Sequence, residues 1–413
     1  MAEASFAAGG PPPDSDSGLL SGLNVLDIGH YIAGPYCTRL MGALGANVIK
    51  VEPPWGDASR WLGPFQDDLP DPENGGLFHY LNAGKQGITL NLKTESGRSL
   101  LLDLAAGADL IVENFEPRVL PALGLDYETL SGGNPGLVLT SISNFGQTGP
   151  YRDYKADEIG IHAISGEMYV AGEPDRPPLK KGGSFAQYIA ATTAVSASLS
   201  ALYLREDTGL GKHVDVSVLE SFCTLHGSSV RSYSATGAVP RRAGDRGRAF
   251  PAGILPAADG SVVFSLIMAR DWWDDFMKMI GAPELDDPRF RDRATRGSHA
   301  DEIEAYTLPW LVEHSKEEVA NTAQDYGLPA GVVATGPDLL ASPQLNSRNF
   351  FWEASLKNGT ELRIPGMPYA LTGATLTPPR RGPGLGEHNV EILSNRLNLS
   401  AHDLMVLAQQ GVI

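Results

Sequence analysis

Residues 23–28 form a short apolar run, LNVLDI, closed by a glycine; a Gly-Pro pair follows at Gly34 and Pro35, then a helical pattern over 36–44 and a second apolar run over 46–52. Strand, turn, helix and strand within about thirty residues make a βαβ unit, and such a unit commits both strands to one parallel sheet. The alternation returns. Residues 88–92 read as a strand, 96–106 as a helix and 109–113 as a buried strand, and a helical turn near 127–130 leads to a further strand over 137–143. Parallel strands need crossover helices that cover both sheet faces, so the expected fold class is α/β, with a doubly wound, Rossmann-like sheet. No G-x-G-x-x-G follows the first strand, which leaves little to argue for a dinucleotide.

Further along, residues 157–168 and 184–205 read as helices, with Pro- and Gly-rich sequence between them at 172–178. Residues 214–218 alternate briefly before a helix from Leu219. The basic, Gly-containing stretch 241–248 marks a boundary. Beyond it, strands at 253–255 and 261–266 and a helix over 271–280 suggest a smaller α/β domain, followed by a helix from Lys316, the segment 331–334 and a Pro-rich C-terminal segment. A chain of 413 residues exceeds one ordinary hydrophobic core, so two domains are expected. The first 18 residues, rich in Pro, Gly, Ser and Asp, read as a disordered tail, without the basic and apolar regions of a signal peptide.

Composition narrows the partners. With 32 Lys and Arg against 49 Asp and Glu, the net charge of −17 disfavours nucleic acid and anionic membranes as partners. It leaves room for a small anion, which local cations or a helix N-terminus can hold. No apolar run has the length of a membrane span. Cys37 and Cys223 stand far apart in no metal-like spacing, so no metal and no disulfide framework is expected, and a reducing, cytoplasmic location fits.

Candidate functional residues each have a plainer rival. Asp157 and Glu158 open a helix, where the dipole favours carboxylates by about 0.3–1 kcal/mol each without any further role. Asn114 and Phe115 follow a strand end, where ligands of open α/β sheets bind. His30 and His162 are lone histidines, commonly structural; His162 lies four residues after Glu158 and can share its helix face. The paired basic residues Lys180-Lys181 and Arg241-Arg242 are ordinarily solvated. Gln187 completes Ser184-Phe-Ala-Gln187, an S-x-x-Q capping box in which the Ser hydroxyl and Gln side chain satisfy amides at a helix start.

The order and spacing of several short motifs resemble the class III CoA-transferases, a family that includes formyl-CoA transferase and carnitine CoA-transferase-like proteins and is related to 2-methylacyl-CoA racemase. They are Leu26-Asp-Ile-Gly-His-Tyr-Ile-Ala-Gly-Pro35, Gly45-Ala-Asn-Val-Ile-Lys-Val-Glu52, Asn82-Ala-Gly-Lys-Gln-Gly-Ile-Thr-Leu-Asn-Leu-Lys93, Val112-Glu-Asn-Phe115, Asn144-Phe-Gly-Gln-Thr-Gly-Pro150, Thr208-Gly-Leu-Gly-Lys212 and Leu385-Gly-Glu-His388. The resemblance spans residues 20–413 and implies a Rossmann-like large domain built from both chain ends, an inserted small α/β domain, and an interlocked homodimer. The division it suggests is a tail at 1–18, a first large-domain part at 19–225, a linker at 226–248, the small domain at 249–318 and the C-terminal large-domain part at 319–413.

The same resemblance implies coenzyme A, carried as acyl-CoA, as the ligand, and a carboxylic acid as acceptor. Lys93, Asn114, Phe115 and Lys155 match CoA-contacting positions, and His30 and Ile32 fall in the segment lining the thioester pocket. The family's nucleophile is an Asp that attacks the thioester, and its position here is Gln187, a neutral amide that cannot form the anhydride. Glu158, which matches a Glu near the family's active site and the racemase's catalytic Asp, is the substitute carboxylate. Gln187 would then donate to the thioester oxygen. The expected activity is CoA transfer. Two alternatives stay open: an acyl-CoA isomerase, epimerase or lyase with Glu158 as acid/base, and a CoA-binding homologue without catalysis.

Overall fold

The computed structural model describes residues 18–242, 244, 251–265, 270–293, 295–373, 376 and 380–413. Apart from its last residue, the tail expected over 1–18 lies outside the described residues, as does most of the basic stretch 241–248. Two compact units divide the chain: Met1–Ser165, Lys181–Gly227 and Ser347–Ile413 form one, Gly166–Lys180 and Ser228–Asn346 the other.

The first unit is built on the repeated βαβ pattern. In chain order it contains β1 (Asn24–Asp27), α1 (Ala33–Ala43), β2 (Asn47–Glu52), α2 (Gly76–Asn82), β3 (Gln86–Thr89), α3 (Glu95–Ala106) and β4 (Leu110–Glu113). Then come α4 (Val119–Ala122), α5 (Tyr127–Gly132), β5 (Val138–Ser143) and α6 (Glu158–Ile164); the short α7 (Glu167–Val170) belongs to the second unit. After it follow α8 (Phe185–Thr208), β6 (His213–Ser217) and α9 (Val218–Cys223). The six strands form one parallel sheet in the order β3-β2-β1-β4-β5-β6. The chain therefore reverses its direction of travel between β1 and β4, and ligands of such sheets bind beyond the strand ends at that switch point.

Alternate strand residues feed two cores. Leu26, Ile49, Ile88 and Ile111 face α3 and the C-terminal helices, in a cluster with Leu101, Leu104, Ile392 and Leu404. Val25, Val48, Leu110 and Val138 face the other way, in a cluster with Cys37, Met41, Ile161, Phe222 and the alanines of α8. Ala186, Ala190, Ala191 and Ala194 are fully buried, and these small side chains let α8 lie close to the sheet and to α1. α8 ends at Gly209, whose φ of +67° is the left-handed cap that glycine adopts without strain. The helix expected over 157–168 is broken after α6, because Gly166 takes a φ of +87°.

The second unit holds α10 (Gly227–Thr236), β7 (Gly253–Ala257), β8 (Gly260–Phe264), α11 (Trp273–Ile280), α12 (Pro288–Arg291), α13 (Ala300–Glu313), α14 (Lys316–Asp325), β9 (Ala330–Val332) and α15 (Gly336–Ala341). Its three strands form an antiparallel sheet, β7-β8-β9, packed with Trp273, Phe276, Leu311 and Val319. It runs to Asn346, past the return at 319 suggested by the family resemblance, because the three-residue β9 pairs with β8. So short a strand carries no periodicity to read. The chain then passes through α16 (Pro343–Ser347) and re-enters the first unit with a hairpin of β10 (Phe351–Ser355) and β11 (Glu361–Pro365), then α17 (Asn389–Leu397) and α18 (Ala401–Gln409). Arg39 of α1 donates to the Pro365 carbonyl (2.6 Å) and lies over the Tyr80 ring, tying the hairpin to the sheet's helical layer.

Charges buried at the sheet edge hold the β1–α1 turn. Asp27, fully buried, accepts from Lys85 Nζ (2.7 Å), Thr38 Oγ1 (2.8 Å) and the Gly29 amide (3.0 Å). Asp57 accepts from Lys50 Nζ (3.0 Å) and from the amides of Tyr31 (3.2 Å) and Ser59 (2.8 Å). Glu52 takes both Arg60 Nε and an Arg60 terminal nitrogen at 2.7 Å. Each carboxylate thus has its own cation, which is the condition under which buried charge is tolerated. Replacement of Lys85 by Met should cost about 3–5 kcal/mol, because it strands the Asp27 carboxylate. Urea unfolding measures this, and Asp27→Asn in the same background should recover part of the loss; a Lys85→Met protein as stable as the parent contradicts the pairing.

Candidate functional site

The turn after β1 and the end of β4 meet at the switch point. The Asn114 side chain accepts from the His30 amide (2.7 Å) and donates to the His30 carbonyl (2.8 Å), so one residue locks the two loops together. A Cβ at position 29 would come within 2.8 Å of Asn114 Oδ1, which explains the glycine there. Tyr31 takes a φ of +62°, a left-handed conformation that a tyrosine adopts only where the surroundings impose it. The His30 ring packs against Phe115, with centroids 5.3 Å apart, and its Nδ1 lies 3.8 Å from Asp57. Burial, and then the Lys50 charge, push the His30 pKa below its ordinary value against the pull of Asp57, so the ring is neutral at neutral pH.

Two cavities flank Phe115. One, of about 200 Å³, is largely apolar and lined by His30, Trp55, Asn91, Lys93, Phe115 and Leu123 among others; Lys93 Nζ sits 5.5 Å from the centre of the Trp55 ring. The other, of about 220 Å³, is polar, with Asn114, Phe115, Arg118, Arg152, Lys155 and Gln187 in its wall. Arg118 and Arg152 both pair with Asp153, and Lys155 pairs with Glu116, so three cations stand against two carboxylates. An excess of positive charge on an otherwise acidic protein, beside an aromatic ring and an apolar slot, suits a long ligand with anionic and apolar parts.

Gln187 lines the polar cavity, but the capping box at the start of α8 does not form. Ser184 has a φ of −113° and a ψ of 56° and makes no side-chain cap bond. Glu158 takes over that duty: its Oε1 accepts from the Ala186 amide (2.7 Å) and pairs with His162 Nε2 (3.0 Å), while its Oε2 is buried with no hydrogen-bond partner. Asp157, the other carboxylate of the pair, caps α6 through the Gly160 amide (3.1 Å). His162 is wholly buried against Phe222, with ring centroids 4.5 Å apart.

Of the residues singled out from the sequence, His30, Asn114, Phe115, Lys93, Lys155 and Gln187 come together around the two cavities. Ile32 and Glu158 are not among the described residues that line either one. Ile32 is the buried residue before α1. Arg118, Arg152 and Trp55 were not singled out, although each stands within a loop after a strand end, which is the signal that marks them. Because Ser184 caps nothing, Ser184→Ala should change stability by less than about 0.5 kcal/mol, below the usual loss of a cap. Glu158→Ala should cost about 1–3 kcal/mol, the value of hydrogen bonds to a charged group. Denaturant midpoints of the two variants check the contrast.

The sequence profile described as CoA-transferase family III matches residues 20–389. The succinyl-CoA–D-citramalate CoA-transferase of Chloroflexus aurantiacus is 34% identical over 95% of this chain and 98% of its own. The acetyl-CoA:oxalate CoA-transferase of Acetobacter aceti is 34% identical over 87% of this chain and 91% of its own. Subunit BbsE of the succinyl-CoA:(R)-benzylsuccinate CoA-transferase of Thauera aromatica is 35% identical over 87% and 90%. Among solved structures, a CAIB/BAIF family protein from Brucella suis is similar with a TM-score of 0.84 and 31% identity, covering 92% of this chain and all of that one.

Proposed function

This chain belongs to CoA-transferase family III, and we propose that it moves CoA from an acyl-CoA to a carboxylic acid with Glu158 in the place of the family's nucleophilic Asp. The observation that carries the reading is the Glu158 carboxylate at the first turn of α8, bonded to the amide of Ala186, the residue next to Gln187. A carboxylate is thereby delivered from α6 to the helix start at which the family's own Asp sits. Oε1 is engaged by two donors, and Oε2 has its lone pairs free. Lys93, Lys155, Asn114 and Phe115 would hold CoA in the two cavities, with the Phe115 and Trp55 rings against its base and the cations at its phosphates. The protein would act in the cytoplasm as a homodimer, without nucleic acid or membrane partners.

In this reading the Glu158 side chain turns from its buried position toward the crevice and Oε2 attacks the thioester carbonyl; the tetrahedral adduct expels CoA as thiolate and leaves a mixed anhydride. The thiolate then attacks the Glu158 acyl carbon and the donor leaves as its carboxylate, so that CoA is held as a glutamyl thioester. The acceptor carboxylate attacks that thioester, giving a second anhydride and thiolate. Thiolate attack on the acceptor's acyl carbon releases the new acyl-CoA and restores Glu158. Gln187 donates its amide N–H to the oxyanion that develops at each addition, a role worth roughly 3–4 kcal/mol for one donor.

A second reading is favoured by the Glu158–His162 hydrogen bond: the pair removes and returns the α-proton of an acyl-CoA, as an isomerase or epimerase would. One set of experiments separates them. Transfer predicts a glutamyl-CoA species trapped by hydroxylamine or borohydride during turnover, lost in Glu158→Gln by at least about a hundredfold in kcat. Proton removal predicts deuterium uptake at the α-carbon in D₂O with no trapped species. Absence of both, with CoA still bound and transfer appearing in Gln187→Asp, marks a binding homologue. Transfer that needs a second family member with Asp at the position of Gln187 makes this chain one subunit of a two-chain enzyme.

A further inference from the structure

Behind the crevice, three polar side chains cross three neighbouring strands on one face of the sheet. Glu113 ends β4, Ser141 is its register partner on β5, and His213 opens β6. Glu113 is 3% exposed and Ser141 2% exposed, whereas His213 is exposed at the sheet's edge. Glu113 Oε2 accepts from the Phe115 amide (2.7 Å), and its carboxyl is also bonded to the Ser141 side chain. Ser141 Oγ lies 2.9 Å from His213 Nε2, and the His213 ring stacks on Tyr127 with centroids 5.6 Å apart. The row therefore runs without a break from the backbone of Phe115, the residue both cavities share, to solvent.

We propose that Glu113, Ser141 and His213 form a proton relay beneath the crevice, through which binding of CoA is coupled to uptake of one proton by Glu113. The inference rests on the reading of the crevice as a CoA site. A serine hydroxyl has one proton to give, so the direction of the row is set by Glu113. With Glu113 ionised, Ser141 donates to the carboxylate and accepts from His213 Nε2–H. With Glu113 protonated, its O–H donates to Ser141, Ser141 donates to His213 Nε2, and the imidazole proton sits on Nδ1. A proton that enters at His213 Nδ1 displaces the Nε2 proton to Ser141 and the Ser141 proton to Glu113. One proton is gained, and no other co-reactant is needed.

The electrostatics place this exchange in a useful range. Burial raises the Glu113 pKa; the bonds from Ser141 and the Phe115 amide oppose it, and the charge of Asp215 on β6 adds to it, leaving the group at about 7. The side of the His213 ring packed on Ser141 and Tyr127 is shielded from solvent, which holds its pKa below the ordinary value against the charges of Asp215 and of Glu128 on α5, so the ring stays neutral and its tautomer carries the signal. Asp215 itself accepts from the Gln147 amide with both oxygens at 3.0 Å, in the loop that carries the cavity residue Asn144. A polyanion seated over Glu113 disfavours its charged form, and by linkage the protonated form binds the polyanion more tightly. Affinity is accordingly full below the Glu113 pKa and falls as pH rises through it.

Two measurements on the full chain test this. Calorimetry with CoA at about pH 7, in buffers of different ionisation enthalpy, reads proton uptake; the wild type should take up a fraction of a proton more than Glu113→Gln, and its affinity should fall several-fold more between about pH 6 and about pH 8. The same ligand in both proteins cancels the titration of the CoA phosphate. Equal uptake and equal pH profiles overturn the coupling. Independently, ¹⁵N resonances of His213 in the unsubstituted protein should pass from the Nε2–H to the Nδ1–H tautomer as pH falls through about 7. A constant tautomer overturns the relay, whether or not the Glu113 variant folds. If the wild type binds no CoA at any pH, the CoA reading and with it the coupling fail, while the His213 tautomer still decides the relay.

Discussion

Three consecutive amides in the β1–α1 turn are each held by a different side chain: Gly29 by Asp27, His30 by Asn114 and Tyr31 by Asp57. Everything at the switch point hangs from that turn. Its carbonyls are engaged too, since Lys50 Nζ donates to Gly29 and Asn114 Nδ2 to His30. A loop of small and polar residues at the mouth of a parallel sheet has little apolar surface to bury. Its shape is set by hydrogen bonds to charged groups, which in a dry environment are both strong and demanding of geometry. The left-handed Tyr31 is held by this arrangement, at a cost that the ion pairs beneath it offset.

The consequence is a crevice that is formed before a ligand arrives. The His30 and Phe115 rings are seated against one another, and the cations of the polar cavity are already partnered by carboxylates. An anion seated there would have to displace or share those carboxylates, which would lower the affinity gained from charge and raise the selectivity for a ligand that also fills the apolar slot. On the far side of the site, Glu158 reaches across from α6 to α8 and fixes the helix start where Gln187 stands. Glu158 and Gln187 are thus tied to the same turn.

The parallel sheet was legible because βαβ units write themselves in apolar runs and helical periods, and all six strands lie at or next to the runs that mark them. β3 came out two residues earlier than expected, since the run at 88–92 continues past the strand into a loop that lines the apolar cavity. The S-x-x-Q at Ser184 illustrates the opposite case. Its spacing is right for a capping box, but Ser184 makes no cap bond, and a carboxylate 26 residues earlier in the chain caps the helix through the Ala186 amide instead. Local pattern cannot register a competitor that arrives through space. Arg118 and Arg152 were passed over for the same reason: as single cations in loops they are indistinguishable from solvated charges until the two loops close on one cavity.

What the sequence determined by itself was the class of fold and family: a parallel α/β sheet built from βαβ units, and the motifs of CoA-transferase family III in order. Those are properties of composition along the chain, carried by periodicity and spacing. That Glu158 bonds the first turn of α8, and how Glu113, Ser141 and His213 line up under Phe115, only the tertiary structure decided. Pairing between strands and packing between helices join residues tens to a hundred positions apart. Burial, charge and hydrogen-bond direction take their values only once those neighbours are in place.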